Sequence, residues 1–419
     1  MNIQSSPGYR WCIFAICAGM YIMSHFWRVS TAVIAGDLSR DLSLSPDMLG
    51  LLGGAFFYSF GLAQLPMGPL LDRFGSRAVI SSLACVGAAS AIFFAFSTGG
   101  SMAILARAGI GVGMAAVLMG SYKIFTTWFS PREFATLAGF LISIGNLGAI
   151  GATAPLVWLS KAIGWRGAFL CLAMITLLIA VILFLVLRDH PPRQASMPPQ
   201  NATPGNDIFF GLRTVFGSGL FWRIAPLGFA SYGALITAQG LWGGPYLMHT
   251  YGLSKEAAGG ILLAVPIGAI CGSPLWGSWS DILKRRKLPV LWGQGAMLLV
   301  FSSLTMDLHL PGWGLLLQFW LLGFTFSSNF IIYAQVKETF PLAIVGTALT
   351  AVNFFIMMGA ASFQHVMGVI MNNWTPSITG VYPLASYQWG FGVSAALLCL
   401  AVLVYTSSRD TGVDMQGGR

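Results

Sequence analysis

Long apolar stretches, each about the length of a membrane span, dominate this chain. A helix that crosses a bilayer needs about 20 apolar residues. Twelve stretches of this kind lie near residues 11–36, 48–71, 78–97, 102–127, 135–159, 167–187, 222–248, 257–280, 289–306, 313–335, 345–370 and 387–406. The pattern predicts an all-α integral membrane protein with twelve transmembrane helices, and the even number places both termini on one side of the membrane.

The longest polar stretch, residues 188–221, interrupts this pattern near the middle and is rich in proline. Proline-rich polar segments are typical of linkers. We therefore expect an N-terminal six-helix bundle over 1–188, a cytoplasmic linker over 189–221, and a C-terminal six-helix bundle with a short cytoplasmic tail over 222–419.

An internal repeat relates the two halves. The segment GPLLDRFGSR at 68–77 has a degraded copy, GSWSDILKRR, at 277–286, and the offset of 209 residues is half of the 419-residue chain. A repeat at half the chain length predicts two pseudo-symmetric bundles. Bundles of this kind are the architecture of a secondary transporter.

Composition and charge exclude other classes. Only 8% of residues are charged and 56% are hydrophobic, which does not suit a soluble protein of this length. The net charge of +9 does not indicate nucleic acid, because its distribution reflects topology: with the N-terminus in the cytoplasm, 15 of the 22 Lys and Arg residues fall on the cytoplasmic side. We expect a multi-pass protein of a bacterial inner membrane with both termini cytoplasmic.

Nothing in the sequence has the spacing of a catalytic, metal or nucleotide site. The six cysteines lie in or beside apolar segments, and no P-loop is present. We expect no enzyme activity, no cofactor, no metal and no disulfide.

Three motifs resemble those of the major facilitator superfamily. GPLLDRFGSR resembles its signature turn between the second and third helices, RAGIGVG at 107–113 resembles its RxxxGxG motif, and WFSPRE at 128–133 resembles its turn between the fourth and fifth helices. The first third is most similar to the anion:cation symporters, because Arg28 is followed by DLSLS at 41–45. Many of those symporters place a proton-coupling Glu where this chain has Met114.

The charges inside the predicted spans are all basic: Arg28, Arg107 and Lys123. A charge in a membrane is costly and usually functional, and a guanidinium binds a carboxylate through two parallel hydrogen bonds. Arg28 is the leading candidate for substrate binding, since Tyr21 and His25 share its helical face. The resemblance implies that Arg107 also borders the cavity, while a tie to helix-end carbonyls is the alternative. We expect Lys123 to extend toward the lipid headgroups.

His25 and His365 are candidates for a proton carrier in place of the missing Glu. In the second half, polar neutral side chains turn inward because an unpaired amide in lipid is costly. The candidates for substrate contact there are Tyr232, Gln239, Asn329, Asn353 and Gln364. The resemblance implies that spans one, four, seven and ten line the cavity, which favours the first three of these.

The two repeated turns are expected to form cytoplasmic gates. The resemblance implies that the first turn latches the outward-open state through Asp72, Arg73 and Arg77. The second turn keeps Asp281 and Arg286, and we expect it to be the weaker latch.

These observations predict a secondary active transporter that moves a small organic anion of the carboxylate type by alternating access, with proton- or cation-coupled import. A carrier of zwitterionic amino acids or dipeptides is the first alternative, and a drug exporter or a ligand sensor that moves nothing is less favoured. The expected partners are the substrate, a co-transported proton or cation, and the lipid bilayer, and the expected state is a monomer.

Overall fold

The structure is a computed structural model that describes residues 7–189, 208–306, 308–341, 344–377 and 381–411. No β-strand occurs in these ranges, and the chain is built from helices. They are α1 (Pro7–Val29), α2 (Ala35–Asp41), α3 (Pro46–Gln64), α4 (Met67–Ala95), α5 (Gly100–Met114), α6 (Val117–Trp128), α7 (Pro131–Gly151), α8 (Ala154–Val186), α9 (Ile208–Gly217), α10 (Phe221–Ile236), α11 (Gly243–Tyr251), α12 (Lys255–Leu262), α13 (Ala264–Leu283), α14 (Lys287–Ser303), α15 (Gly312–Phe326), α16 (Ile331–Thr339), α17 (Val345–Met371) and α18 (Leu384–Thr406).

Each of the twelve predicted spans is helical over most of its length. Within the described ranges, eight helical segments are long and apolar enough to cross a membrane by themselves. The remaining spans correspond to α3, α7, the α10–α11 segment and α14. In the most apolar segment, Ala154–Val186, only 28% of its most hydrophobic 18-residue stretch is buried. Its exposed side chains include Leu178 and Leu185, which is the pattern of a helix that faces lipid.

Several spans are interrupted near the middle. A break at Ala115–Ala116 separates α5 from α6, a π-helical segment at Thr237–Trp242 separates α10 from α11, and a 3-10 segment at Ser327–Phe330 separates α15 from α16. Pro245 has no N–H to donate to the carbonyl four residues earlier, which accounts for the wide turn that precedes it.

Two compact units are defined by the contacts within the chain. The first contains residues 1–30 and 55–205, and the second contains residues 31–54 and 206–419. In the first unit, α4 packs against α5 and α8, and α1 packs against α7. In the second unit, α10 packs against α17 and α18, and α13 packs against α15.

Residues 31–54 belong to the second unit because of specific contacts. The Thr31 hydroxyl donates to the carbonyl of Gly240 at 3.1 Å, and Lys255 forms an ion pair with Asp37. Backbone approach is also close, since a Cβ on Gly50 would lie 2.7 Å from the carbonyl oxygen of Gln364. These contacts fix the connection between α1 and α3 against α11, α12 and α17.

Candidate functional site

Polar side chains follow one face of α1 in the first unit, as the helical spacing predicted. Tyr21 and His25 lie edge to face with ring centres 4.5 Å apart. Both rings rest on Gly145 of α7, where an added Cβ would lie 2.6 Å from Cε1 of Tyr21 and 2.9 Å from Nδ1 of His25. The absence of a side chain at Gly145 therefore gives the two rings their space.

Three buried polar atoms on this face lack a hydrogen-bond partner among the described residues: Oγ of Ser24, Nδ1 of His25 and Nε of Arg28. Buried polar groups are nearly always paired. An unpaired hydroxyl, imidazole nitrogen and guanidinium nitrogen within five residues of one helix offer hydrogen bonds to an incoming polar ligand.

Arg28 ends this face and is only 8% exposed. Its guanidinium carbon lies 4.7 Å from the centre of the Phe60 ring, and no ion pair between described residues includes it. The face of an aromatic ring attracts a cation but does not neutralise it. The site therefore holds a desolvated positive charge that a carboxylate would complement.

Arg107 supports the helix end that carries Arg28. It is fully buried, and its two terminal nitrogens donate to Oγ of Ser30 at 3.4 Å and to the carbonyl of Arg28 at 3.5 Å. Its guanidinium carbon lies 5.1 Å from the centre of the Phe56 ring. These contacts are the tie to helix-end carbonyls considered above, and a cation at a helix C-terminus is favourable.

Two of the second-unit candidates occupy interrupted stretches of helix. Gln239 lies within the π-helical segment and Asn329 within the 3-10 segment, where its buried Oδ1 has no hydrogen-bond partner in the described part of the chain. Tyr232 lies in α10, and its ring centre is 5.7 Å from that of Phe326. Irregular turns of this kind often mark functional sites because they redirect side chains and free backbone groups.

The two α17 amides bind neighbouring helices instead. Asn353 accepts a hydrogen bond from the Tyr333 hydroxyl at 2.9 Å. Gln364 is fully buried, and its Nε2 donates to the carbonyl of Ile236 at 3.3 Å. The backbone carbonyl of Gln364 also accepts a hydrogen bond from Trp242 Nε1 at 3.2 Å. Gln364 thus ties α17 to the end of α10 and to the π-helical segment.

The first repeated turn is held by partners within the first unit. Asp72 forms an ion pair with Lys123 at 2.6 Å, and Lys123 also donates to the carbonyl of Leu71 at 2.7 Å. Lys123, which we expected to extend toward the lipid headgroups, is therefore engaged by a carboxylate that the α4–α6 packing brings to it. Arg73 is exposed, with its guanidinium 5.3 Å from the Phe74 ring centre.

Arg77 is anchored to the end of α8. Its Nε donates to the carbonyl of Phe184 at 2.7 Å, and its backbone N–H donates to Oδ1 of Asp189 at 2.9 Å. Gly75 has a φ of +79°, and a Cβ there would lie 2.5 Å from Oδ2 of Asp189. The glycine of the motif is therefore required by both conformation and space.

The second turn repeats this arrangement inside the second unit. Arg286 contacts Asp281 at 2.5 Å and Glu338 at 2.9 Å. Burial alone would lower the pKa of Arg286, but its hydrogen bonds to Glu338 and Asp281 outweigh that effect and raise it. The backbone N–H groups of Arg286 and Lys287 both donate to Oδ1 of Asp410, at 2.8 and 2.9 Å. This turn therefore has more ion-pair contacts within its own unit than the first turn has.

A model of the Major Facilitator Superfamily matches residues 11–361. The chain belongs to this superfamily.

Curated relatives of this superfamily member are transporters. It is 27% identical over 68% of its length to the uncharacterized transporter YybO of Bacillus subtilis (strain 168), covering 68% of that protein. It is 24% identical over 94% of its length to the probable galactarate/D-glucarate transporter GudP of the same organism, covering 92% of it. It is 23% identical over 82% of its length to the D-galactonate transporter of Escherichia coli O6:H1, covering 85% of it.

Solved structures show the same fold. A bacterial homolog of the human lysosomal transporter Spinster matches 96% of this chain and 97% of its own, with a TM-score of 0.77 and 18% identity. The predicted fold class, twelve transmembrane helices in the major facilitator fold, is confirmed. The protein is a multi-pass integral membrane transporter and not an enzyme.

At the position where many anion:cation symporters carry a Glu, Met114 packs into the first unit. It is fully buried, and its Cε would lie 2.7 Å from a Cβ on Gly87 of α4. No three His, Cys, Asp or Glu side chains come together as a metal site in the described ranges.

Sequence reasoning missed four side chains of this superfamily member that shape these sites: Phe60, Asp189, Glu338 and Asp410. The sequence contains a signal for two of these residues, Asp189 and Asp410. The dipeptide Arg-Asp ends span six at Arg188–Asp189 and span twelve at Arg409–Asp410. Its repetition, alongside the repeated turn, marks the carboxylates that bind the turn amides.

Proposed function

We propose that this protein is a secondary active transporter of a small organic anion of the carboxylate type, with Arg28 as the residue that binds the carboxylate. The observation that carries the proposal is the state of Arg28: a buried guanidinium with an unpaired Nε, an aromatic ring beneath it, and no ion-pair partner among the described residues. A buried charge without a partner is strongly unfavourable, and a substrate carboxylate would supply that partner through two hydrogen bonds.

The relatives support the same substrate class. Two of the relatives described above are named for sugar acids, galactarate or D-glucarate in one case and D-galactonate in the other. A sugar acid combines a carboxylate with several hydroxyl groups. Ser24 and His25 lie beside Arg28 with unpaired polar atoms, so the α1 face offers partners for both kinds of group.

We propose further roles for the other predicted residues. Tyr21 and His25 form the wall next to the carboxylate, and Arg107 holds the helix end that carries Arg28. Tyr232, Gln239 and Asn329 contribute polar contacts from the second unit, and Asn353 and Gln364 support the helices around them. Asp72, Arg73, Arg77, Asp281 and Arg286 act as gates of an alternating-access cycle.

The remaining features of the proposal concern energy coupling and topology. Import is driven by a proton or another cation, and His25 is the proposed proton carrier because its Nδ1 is buried and unpaired next to Arg28. Two six-helix halves joined by the 189–221 linker cross a bacterial inner membrane as a monomer, with both termini in the cytoplasm. The excess of Lys and Arg on that side supports this orientation.

A ligand thermal-shift screen on purified protein in detergent tests the substrate class. The panel contains sugar acids, dicarboxylates, phosphates, amino acids, dipeptides and organic cations, on wild type and Arg28→Ala. Binding stabilises the folded protein in proportion to the logarithm of ligand concentration over Kd. We expect carboxylates to stabilise wild type and not the variant. Stabilisation by zwitterions or cations alone, or an equal response of Arg28→Ala, would contradict the proposal.

A further inference from the structure

The turn between α13 and α14 carries positive charge that no ion pair with another described residue neutralises. Among the described residues, three carboxylates lie at this end of the second unit, and all three are already engaged: Asp281 and Glu338 by the Arg286 guanidinium, and Asp410 by two backbone N–H groups. Lys284 and Arg285 are exposed, and neither has an ion-pair partner among the described residues.

More cations lie at the same end of the unit. Lys337 is next to Glu338, which pairs with the Arg286 guanidinium. Arg409 is next to Asp410, which accepts from the Arg286 backbone N–H. These contacts place both Lys337 and Arg409 near the turn. Both residues are exposed. The result is a local surplus of positive charge at one end of the second unit.

Apolar and aromatic side chains extend from this charge along the outer surface of the two helices. Ile282 is 78% exposed at the turn. The Trp279 and Trp292 rings lie 5.3 Å apart, one on each helix, and Trp292 is 61% exposed. Farther along α14 and about 18 Å from the turn at 1.5 Å per residue, Leu299 is 75% exposed.

This order of side chains matches the layers of a bilayer. Cations lie at headgroup level, Trp residues at the interface, and aliphatic side chains along the hydrocarbon. Anionic lipids attract Lys and Arg close to the membrane surface. The surface formed by Trp279, Ile282, Lys284, Arg285, Trp292 and Leu299 is called here the α13–α14 lipid surface.

The backbone conformation at Lys284 is one that disfavours a lysine. Lys284 has a φ of +50° and a ψ of +33°, which is the left-handed region. The equivalent position in the first half of the chain is Gly75, also with positive φ. A glycine adopts this conformation without the steric cost that a side chain brings. The second half therefore keeps a cation where the repeat and the geometry both favour glycine.

We propose that the α13–α14 lipid surface binds one anionic phospholipid, with the phosphate at Lys284 and Arg285 and an acyl chain along Trp292 and Leu299. Charge complementarity identifies this occupant, because a zwitterionic lipid would leave the surplus of positive charge unmatched. This site is separate from Arg28 and does not depend on which substrate is moved.

Binding of short-chain phosphatidylglycerol to the full-length protein in detergent tests the proposal, with short-chain phosphatidylcholine as the neutral comparison. We expect wild type to prefer phosphatidylglycerol, and Lys284→Gln with Arg285→Gln to weaken that binding about five-fold or more, because a Lys or Arg near an anionic surface contributes roughly 1 kcal/mol. The matched control, Arg40→Gln with Lys161→Gln, removes the same charge from the predicted opposite membrane face and should leave binding within two-fold.

Lys284→Gly separates lipid binding from folding. Glycine relieves the left-handed conformation, so this variant should unfold at no lower temperature than wild type in phosphatidylcholine and yet bind phosphatidylglycerol less tightly. The proposal would be overturned by equal binding of the two lipids to wild type, by an unchanged affinity in Lys284→Gly or the Gln double variant, or by an equal loss in the control.

Discussion

The Arg28 guanidinium lies over the ring of Phe60, with its carbon 4.7 Å from the ring centre. Phe60 lies in the part of α3 that belongs to the first unit, so the contact links α1 to that part of α3 and fixes the direction of a side chain that has few other partners. An arginine held by an aromatic face keeps all of its N–H groups for a ligand, whereas one held by a carboxylate would not.

Phe60→Leu should weaken substrate binding while the protein still folds. The ring holds the guanidinium in place before a ligand arrives. Ordering a free side chain on binding costs about 0.5–1.5 kcal/mol, so we expect the Kd of a bound carboxylate to rise about two- to ten-fold. Phe57→Leu removes the same aromatic volume from a buried position of the same helix and is the control. Titration calorimetry on both variants checks this, and an equal loss in the two would assign the effect to packing.

Gly145→Ala should destabilise the first unit and displace Tyr21 and His25. A Cβ at this position would lie 2.6 Å from Tyr21, closer than packed atoms allow, and overpacking of a buried site costs about 1–3 kcal/mol. Gly139→Ala is the matched control on the same helix, since nothing lies within 4 Å of its added Cβ. Thermal unfolding in detergent should separate the two variants, and equal midpoints would show that α1 and α7 adjust freely.

Asp410→Ala should lower stability more than Asp410→Asn. The alanine leaves the backbone N–H groups of Arg286 and Lys287 without their acceptor, and an unsatisfied donor costs about 1–3 kcal/mol when buried. The asparagine keeps a carbonyl oxygen in the same place. Thermal midpoints of the two variants check the assignment, and a larger loss with asparagine than with alanine would refute it.

Glu133 should make stability depend on pH at the acidic end. The backbone N–H and hydroxyl of Ser130 both donate to its Oε2 at 2.9 Å, and they lower the pKa of this carboxyl, with Arg10 adding a smaller effect. Because the folded pKa is below the unfolded value of about 4.3, the contribution is present above that pH and lost as pH falls through the folded pKa. The difference in thermal midpoint between wild type and Glu133→Gln should therefore shrink as pH falls below the unfolded pKa of about 4.3. A constant difference down to pH 3.5 would show that Glu133 does not titrate as described.

The sequence was sufficient for the fold because the signals that specify it are local. Apolar stretches of sufficient length predicted all twelve spans. The repeat located both turns, which include Gly75 and Lys284. Span seven was predicted as one continuous apolar stretch over 222–248. The structure interrupts it with an irregular turn at Thr237–Trp242, and the helix resumes at Gly243.

The partners in the site were harder to predict because they are distant in the chain. Lys123 and Asp72 are 51 residues apart, and only the packing of α4 against α6 shows that they form an ion pair. Arg28 could be selected from burial cost alone, whereas its neighbour Phe60 could not, because an apolar residue on an apolar helix gives no signal. Asp37 lies nine residues after Arg28 in the chain, but its ion-pair partner is Lys255, which is 218 residues away.

Uptake by proteoliposomes tests the central claim most directly. Reconstituted wild type, Arg28→Lys and Arg28→Ala would be compared for uptake of a labelled hexarate under an inward proton gradient, with a neutral hexose as the comparison substrate. We predict concentrative hexarate uptake by wild type and none by Arg28→Ala. Uptake by Arg28→Lys should be strongly reduced, because an ammonium cannot form the two parallel hydrogen bonds. Wild-type rates in Arg28→Ala, or uptake of the hexose in place of the hexarate, would contradict it.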